Sequence, residues 1–389
     1  VNDPNPQVAL SAIDLLGVGC ETGESHAAMI SKLMQITESL PDSSTMNPTW
    51  HQPVHALVAL TGLSPVRAKT KLRRYAEHPI WQVRMYAARA AALCQVDSLL
   101  ESLATDTHPN VAATALNGLH NIVGHTADGQ YIAALKRDDY GLLLTAARRL
   151  QGSGHPDALS GILEAFTRIS RERRETSRNP RQMILERIGE LGDVSMVEAL
   201  RPYLRDFDPV IAERTAEIIT RWSGDETQAN SQRLPITAVP DVQELRTFEA
   251  SRPVLVMENG REITLRLRPL DAATNVARFV RLAKKGYYDG LTFHRVVPNF
   301  VIQGGSPGAN EFVGDGPFTR DELTDRSHLR GTIGISTRGR DTGDAQIFVN
   351  LVDNIRLDHN YTIIADVVKG MDAVDGLLEG GRIARVRIP

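Results

Sequence analysis

The fold of the second half of the chain is decided by one stretch, Gly290-Leu291-Thr292-Phe293-His294-Arg295-Val296-Val297-Pro298-Asn299-Phe300-Val301-Ile302-Gln303-Gly304-Gly305. Taken one at a time, its residues have ordinary structural roles. A phenylalanine such as Phe300 is more often core than pocket. An arginine in a strand, such as Arg295, is usually part of a surface ion pair, and Gln303 before two glycines can cap a turn. The surrounding sequence must decide between these roles and a functional site.

The residues before this stretch predict a hairpin and a helix. Val254–Met257 is an apolar run, and apolar residues alternate through residues 263–267, with Asn259-Gly260 between the two runs. That pattern is the strongest short signal for a β-hairpin. A helix is expected from about residue 272 to 285, where Gly286 ends it. Its predicted buried stripe consists of Val276, Phe279, Val280 and Ala283.

Four further motifs follow in order. They are Arg330-Gly331-Thr332-Ile333-Gly334-Ile335-Ser336, Ala345-Gln346-Ile347-Phe348-Val349-Asn350, Leu357-Asp358-His359 and Val368-Lys369-Gly370-Met371-Asp372-Ala373-Val374. Together with the first stretch they resemble the signature of cyclophilins, the peptidyl-prolyl cis-trans isomerases, over roughly residues 250–389. The resemblance implies a closed antiparallel β-barrel of eight strands, with two helices near residues 272–285 and 370–379. The spacing is similar to that of the shorter bacterial members.

The resemblance also implies the residues of an active site. Arg295, Gln303 and Phe300 match the catalytic positions: the arginine supplies a cation, the glutamine orients it, and the phenylalanine lines the proline pocket. Ser336, Thr337 and Gln346 match positions that contact the substrate residues before the proline. The full set of implied substrate-binding residues is Val301, Ser336, Thr337, Gln346, Phe348, Arg356, Leu357 and Tyr361. The family's chemistry uses no metal and no cofactor.

The chain departs from the family pattern at the pocket. Arg356 stands where the family has tryptophan or another aromatic residue, so the indole that normally contacts cyclosporin is absent and a second cation takes its place. We therefore expect weak or absent inhibition by cyclosporin. The usual Ser-Gln-Phe-Phe is replaced by Ala345-Gln346-Ile347-Phe348, which retains the second aromatic residue.

The first half of the chain has a different composition. Residues 1–224 hold 27 of the 39 alanines but only two of the nine phenylalanines, which favours helices there and strands in the second half. Turns at His108-Pro109, Asp139-Tyr140 and Asp208-Pro209 are each followed by apolar residues at i, i+4 and i+8. The first two turns are 31 residues apart. A helical repeat of about 30 residues is typical of an α-solenoid, and His78-Pro79 and Asn179-Pro180 mark further copies.

These repeats resemble short bacterial HEAT repeats. Val83-Arg84-Met85-Tyr86-Ala87-Ala88 carries the pattern, and the resemblance covers about residues 50–222. We expect a multidomain protein: a HEAT-like helical superhelix over residues 1–223, a polar linker over 224–246, and the cyclophilin-like barrel over 247–389. A further helix pair is expected within residues 1–50, with a loop at 41–48. Because each repeat needs a neighbour to bury its face, the start at Val1 favours additional preceding repeats.

Composition and motifs exclude several classes of protein. The net charge of −3 offers no field to attract nucleic acid or anionic lipid. No run of about 18 apolar residues is present, which argues against a transmembrane helix. Cys20 and Cys94 cannot form a disulfide framework or a four-cysteine zinc site. The histidines of the first half lack metal-ligand spacing, and His78 and His108 are expected to cap helices.

An arginine-rich segment lies in the last part of the repeat region. It contains Arg168, Arg171, Arg173, Arg174, Arg178, Arg181 and Arg187, with acidic residues among them. Such a segment can receive an acidic partner, but a solvated face is the favoured interpretation.

Two functions of different classes follow from these patterns. The first is a peptidyl-prolyl isomerase acting on proline-containing polypeptide clients, with the helical repeats as a scaffold that binds clients or a protein partner. The second is a non-catalytic binding protein or chaperone with a degenerate cyclophilin domain. Another enzyme class is disfavoured because no phosphate loop or catalytic-triad order is present. Val1 is compatible with an expression fragment or with a mature chain that has lost an export signal. The bacterial periplasm or envelope is favoured over the cytoplasm.

Overall fold

The computed structural model describes residues 1–18, 23–42, 50–235 and 238–389. Cys20 and most of the predicted loop at 41–48 lie outside these ranges. The described chain forms two compact units. The first comprises Val1 and Ala9–Pro235, and the second comprises Asn2–Val8 together with residues 238–389. No described helix is both long enough and apolar enough to cross a membrane.

The first unit is built from α-helices. They are α1 Pro6–Leu16, α2 Glu24–Glu38, α3 His51–Leu63, α4 Pro65–Lys69, α5 Leu72–Ala76, α6 Trp81–Leu93, α7 Asp97–Leu103, α8 Pro109–Val123, α9 Asp128–Ala134, α10 Tyr140–Arg149, α11 Ala158–Arg171, α12 Arg178–Leu191, α13 Val197–Leu200 and α14 Pro209–Ser223. Short 3-10 helices lie at Gly124–Ala127, Glu175–Ser177, Val194–Met196 and Arg201–Arg205. The predicted helical first half is confirmed, whereas its assignment to HEAT repeats stays a prediction.

The repeated turns begin helices as the sequence predicts. His108, Asp139 and Asp208 each precede a helix (α8, α10 and α14), and each side chain accepts a hydrogen bond from a backbone N–H in the first turn. Such caps satisfy N–H groups that have no partner inside the helix. His78 Nδ1 accepts from the N–H of Ile80 at 3.1 Å, just before α6. The predicted capping role is confirmed for His108, whereas the N-cap of α6 is Ile80 and His78 binds the turn before that helix instead of capping it.

The arginine-rich segment is a solvated face only in part. Arg171 and Arg173 are exposed as expected, whereas Arg181 and Arg187 are buried, which corrects the expectation at those positions. Arg181 is fully buried, and its Nη2 lies 2.6 Å from Asp206 Oδ1. Arg178 Nε lies 2.7 Å from Oδ2 of Asp208, which is also buried. The carboxylates follow about one repeat later in the sequence, so the next repeat supplies a partner for each cation. The remaining ion pairs of this segment include Arg168–Asp138 and Arg187–Glu190.

The second unit contains one antiparallel sheet of nine strands, in the order β3-β9-β1-β2-β8-β6-β7-β5-β4. The strands are β1 Val254–Met257, β2 Glu262–Leu267, β3 Thr292–Phe293, β4 Arg295–Val297, β5 Val301–Gly304, β6 Thr332–Ile335, β7 Ile347–Asn350, β8 Ile363–Lys369 and β9 Gly381–Arg387. The expected count of eight strands was therefore one too low. The two edge strands, β3 and β4, are separated in sequence by His294 alone. The sheet thus curls until its edges meet, and this junction divides residues 292–297 into two strands.

Helices pack on this barrel, two of them near the expected positions and the first where no helix was predicted. They are α15 Val242–Ala250, α16 Ala273–Lys284 and α17 Met371–Asp375, with a 3-10 helix at Ile355–Leu357. The predicted helix at 272–285 is confirmed as α16, and α17 is shorter than the predicted 370–379. Strands β1 and β2 pair as the predicted hairpin. Phe279 and Phe293 are buried in the barrel core, as expected.

Residues 224–246, predicted as a linker, carry their own hydrogen bonds. The backbone N–H of Asn230 donates to the Leu204 carbonyl at 2.8 Å, and that of Gln232 donates to the Asp206 carbonyl at 3.1 Å. These bonds attach Asn230 and Gln232 to Leu204 and Asp206 within the first unit. Asp241 and Glu244 then form a reciprocal capping box that begins α15.

Candidate active site

A row of four residues crosses the barrel on one face of the sheet. Backbone pairing places Arg295 opposite Gln303, Gln303 opposite Phe348, and Phe348 opposite Gly334. Directly opposed residues of antiparallel strands lie on the same face. The adjacent row on the opposite face packs against the core and consists of Val296, Ile302, Val349 and Ile333. Alternation along four strands therefore places predicted catalytic residues on the outer face.

A chain of hydrogen bonds fixes the orientation of Arg295. Its Nη1 donates to Gln303 Oε1 at 3.2 Å. The Gln303 Nε2 donates to Ser336 Oγ at 2.9 Å and to Gln346 Oε1 at 3.1 Å. The Gln346 amide is itself fixed, because its Nε2 donates to the backbone carbonyls of Asn310 and Val313. Gln303 is therefore held with its amide oxygen toward the arginine, and the buried amides position the cation.

Phe348 belongs to this row and would form the floor of the predicted proline pocket. Its ring stacks on His328 with centroids 5.7 Å apart and meets the edge of Tyr361 at the same distance. Gly334 lies directly beneath the ring: a Cβ added there would be 2.3 Å from Phe348 Cζ and 2.6 Å from Cε1. Only glycine lets the ring lie this close to β6. The pocket floor is thus set by two neighbouring aromatic rings and one missing side chain.

A buried polar network supports the floor from below. Asn350 Nδ2 lies 3.2 Å from His328 Nδ1 and donates to Thr332 Oγ1 at 2.8 Å. Because an amide N–H faces Nδ1, that nitrogen accepts and the histidine proton is on Nε2, which lies 3.1 Å from the Tyr361 carbonyl. Burial lowers the pKa of His328, which favours this neutral form. Sequence reasoning missed His328, Asn350 and Gly334, because their roles depend on strand register.

Phe300, also predicted to line the proline pocket, lies in the turn before β5. Asn299 before it adopts a left-handed backbone conformation (φ 56°), which turns the chain between β4 and β5. The Phe300 carbonyl accepts from the N–H of Leu351 at 2.9 Å and from Asn354 Nδ2 at 3.0 Å. The guanidinium of Arg356 lies over the Phe300 ring, with Cζ 4.2 Å from the centroid. A cation therefore covers one end of the apolar pocket.

The other predicted site residues differ in their burial and in their contacts with the row. Val301 is buried, and Leu357 is half-buried at the end of the 3-10 helix that carries Arg356. Ser336 contacts Gln303 directly, as described above. Thr337 follows Ser336 beyond the end of β6 and is half-buried. Glu311 adds a carboxylate, with Oε1 3.6 Å from Arg295 Nε on half-exposed side chains, so this exposed pair is weak.

The arrangement places two cations beside the predicted pocket: Arg295, held by Gln303, and Arg356, stacked on Phe300. Among described residues, no cluster of three or more His, Cys, Asp or Glu side chains has metal-binding geometry. The aromatic and cationic residues of the site suit the binding of an uncharged ring with a positive charge placed beside that ring. The fold and these residues together define a closed β-barrel with a polar and aromatic row on its outer face.

Comparison with known proteins identifies the family. The model of the family described as "Cyclophilin type peptidyl-prolyl cis-trans isomerase/CLD" matches residues 254–387. A peptidyl-prolyl cis-trans isomerase from Synechococcus elongatus is 37% identical over 140 residues, which cover 36% of this chain and 96% of the relative. Peptidyl-prolyl cis-trans isomerase B from Bacillus subtilis is 34% identical over 135 residues, which cover 34% of this chain and 94% of the relative.

The match to a solved structure covers a similar share of this chain. The cyclophilin-type peptidyl-prolyl cis-trans isomerase of Cryptosporidium parvum is 20% identical, with a TM-score of 0.34, and the match covers 36% of this chain and 97% of that one. Through residues 254–387, the chain belongs to the cyclophilin-type peptidyl-prolyl cis-trans isomerase family. Its second unit is an isomerase domain of that class, and the matched relatives leave the helical repeats uncovered.

Proposed function

We propose that this protein catalyses cis-trans isomerisation of Xaa-Pro bonds in protein clients, using Arg295 as the catalytic cation. The observation that carries the proposal is the row in which Gln303 lies between Arg295 and Phe348 and accepts a hydrogen bond from the arginine. Family membership supports the reaction, and the row supports the assignment of residues.

The reaction requires a fixed positive charge rather than a proton or a nucleophile. An Xaa–Pro bond rotates slowly because the nitrogen lone pair is shared with the carbonyl. Twisting the bond returns that lone pair to nitrogen, which becomes a better hydrogen-bond acceptor. A guanidinium N–H near the nitrogen therefore stabilises the transition state more than the ground state. The pocket holds the proline ring while the rest of the chain rotates.

The expected contribution of Arg295 follows from the type of interaction. A hydrogen bond from a charged donor contributes about 1.5–3 kcal/mol, and each 1.36 kcal/mol changes a rate tenfold. One arginine therefore supplies about a hundredfold. The remaining acceleration comes from holding the substrate in a fixed geometry against Phe300 and Phe348.

The activity can be tested on the full chain with a peptide containing one Xaa-Pro bond. Cis-trans exchange is measured by NMR for the wild type, Arg295→Ala and a control, Arg385→Ala, which changes an exposed arginine of β9 outside the row. We expect catalysis by the wild type and the control, and a large loss in Arg295→Ala. Equal rates for all three proteins, no faster than buffer, would support the alternative of a non-catalytic binding protein.

We further propose that the helical repeats bind clients or a protein partner. Exposed apolar side chains support this: Val66 of α4 and Leu93 of α6 are 77% and 60% exposed. The neighbouring residues Pro65 and Cys94 are in contact, with Cys94 Sγ 3.7 Å from the Pro65 carbonyl oxygen, so the chain segments that carry the two apolar side chains lie next to each other. Replacing both by serine should weaken binding of an unfolded proline-containing protein, whereas Val194→Ser serves as a matched control. Unchanged binding would contradict the proposal.

The predicted location in the bacterial envelope stays a prediction, which cell fractionation can test.

A further inference from the structure

Arg356 differs from the other arginines around the site in its electrostatic surroundings. Arg295, Arg338 and Arg340 each lie within ion-pair distance of a carboxylate, those of Glu311, Asp344 and Asp321 respectively. Arg356 has no ion pair with any described residue and is exposed. Its guanidinium instead lies over the Phe300 ring at 4.2 Å. Stacking on an aromatic face restrains the side chain and leaves its N–H groups available.

The position of Arg356 places it near the part of a bound chain that follows the proline. The side chains expected to contact residues before the proline, Ser336 and Gln346, are hydrogen-bonded to Gln303. Phe300 precedes Gln303 by three positions, which corresponds to about 10 Å along a strand. Arg356 covers the ring of Phe300. Phe348 lies opposite Gln303, so along the strand direction it is located between Ser336 and Gln346 at one end and Phe300 at the other. A chain that enters over Ser336 and places its proline on Phe348 therefore leaves the pocket toward Arg356.

We propose that Arg356 is a specificity-determining residue that selects clients with an acidic side chain directly after the proline. This inference rests on the proposed isomerase function and names its substrate class. The carboxylate of an aspartate or glutamate at that position forms an ion pair with the stacked guanidinium. An ion pair at an exposed site changes affinity modestly, so the expected preference is about two- to fivefold. The preference should also weaken as salt concentration rises.

The test compares two peptides that differ only after the proline. Both are N-acetylated and C-terminally amidated, so that the peptide termini carry no charge, with glutamate in one peptide and glutamine in the other. Exchange is measured by NMR on the full chain, which avoids the sequence preference of a coupled protease. The measured quantity is the ratio of kcat/KM for the glutamate peptide to that for the glutamine peptide. A general change in activity cancels from this ratio.

We expect a ratio of about two to five for the wild type, near one for Arg356→Gln, and below one for Arg356→Glu. Arg385→Gln, a matched loss of one exposed positive charge, should keep the wild-type ratio. A ratio that is the same in wild type and Arg356→Gln overturns the inference, while catalysis of both peptides leaves the proposed function standing. Absence of catalysis for both peptides overturns the proposed function and the inference with it.

Discussion

Replacing Gly334 by alanine should damage the proline pocket without touching a catalytic side chain. The new Cβ would lie 2.3 Å and 2.6 Å from two atoms of the Phe348 ring. Normal carbon–carbon contacts are about 3.5–4.0 Å, so the ring must move by roughly 1 Å or more. It cannot move freely, because His328 stacks against it and Tyr361 meets its edge. Overpacking of this kind costs about 1–3 kcal/mol of unfolding free energy.

The effect on activity should be larger than the effect on folding. A misplacement of about 1 Å at a reacting geometry can cost up to about a hundredfold. We therefore expect kcat/KM for an Xaa-Pro peptide, measured by NMR exchange, to fall by one to two orders of magnitude. Gly129→Ala is the control, because a Cβ at that glycine of α9 meets no neighbouring atom within 4 Å.

A double-mutant cycle tests whether Phe348 causes the damage. If the ring is the obstacle, Gly334→Ala costs little stability in a Phe348→Ala background, and denaturant unfolding should give a coupling free energy of about 1 kcal/mol or more. Additive free energies, or a Gly334→Ala variant with wild-type kcat/KM, would refute the argument that the glycine sets the pocket floor.

Three further predictions concern charge. Asp206→Ala leaves the buried Arg181 cation without its ion-pair partner and should cost about 3–5 kcal/mol in urea unfolding of the first unit; a loss below 1 kcal/mol would contradict the buried pair. Burial lowers the pKa of His294 to about 4, so its neutral form is favoured when folded. The unfolded chain gains a proton below pH of about 6.5. As the pH falls from about 6.5 to about 4, the free energy of unfolding of the second unit should therefore decrease by roughly 3 kcal/mol. His294→Gln should remove that part of the pH dependence. Because Arg356 replaces an aromatic donor, cyclosporin should inhibit weakly or not at all, and tight inhibition in the exchange assay would show this expectation to be wrong.

Local patterns predicted three elements of the barrel unit, and the family resemblance supplied the rest of the expected barrel. Asn259-Gly260 between alternating apolar runs predicted the β1–β2 hairpin, and the stripe beginning at Val276 predicted α16. Motif order also named Arg295, Gln303 and Phe348 before their alignment in one row was visible. These predictions succeeded because each depends on residues close together in sequence or on a recognisable motif.

Features that depend on distant pairing were missed. The ninth strand arises because the barrel closes at His294, which no local pattern marks. The burial of Arg181 depends on Asp206, which lies 25 residues further along and is brought close by the next repeat. Gly334 gains its role only when strand register places Phe348 over it. The repeat period offered one usable signal for these ion pairs, because Asp206 and Asp208 follow Arg181 and Arg178 by nearly one repeat.

The central claim is that Arg295 acts on the transition state rather than on substrate binding. The most direct test measures kcat and KM separately for the full chain and for Arg295→Ala, using NMR exchange at a series of peptide concentrations. A cation that acts only as the bond twists predicts a fall in kcat of about a hundredfold with KM nearly unchanged. A rise in KM with unchanged kcat would instead show that Arg295 binds the ground state, and would contradict the account.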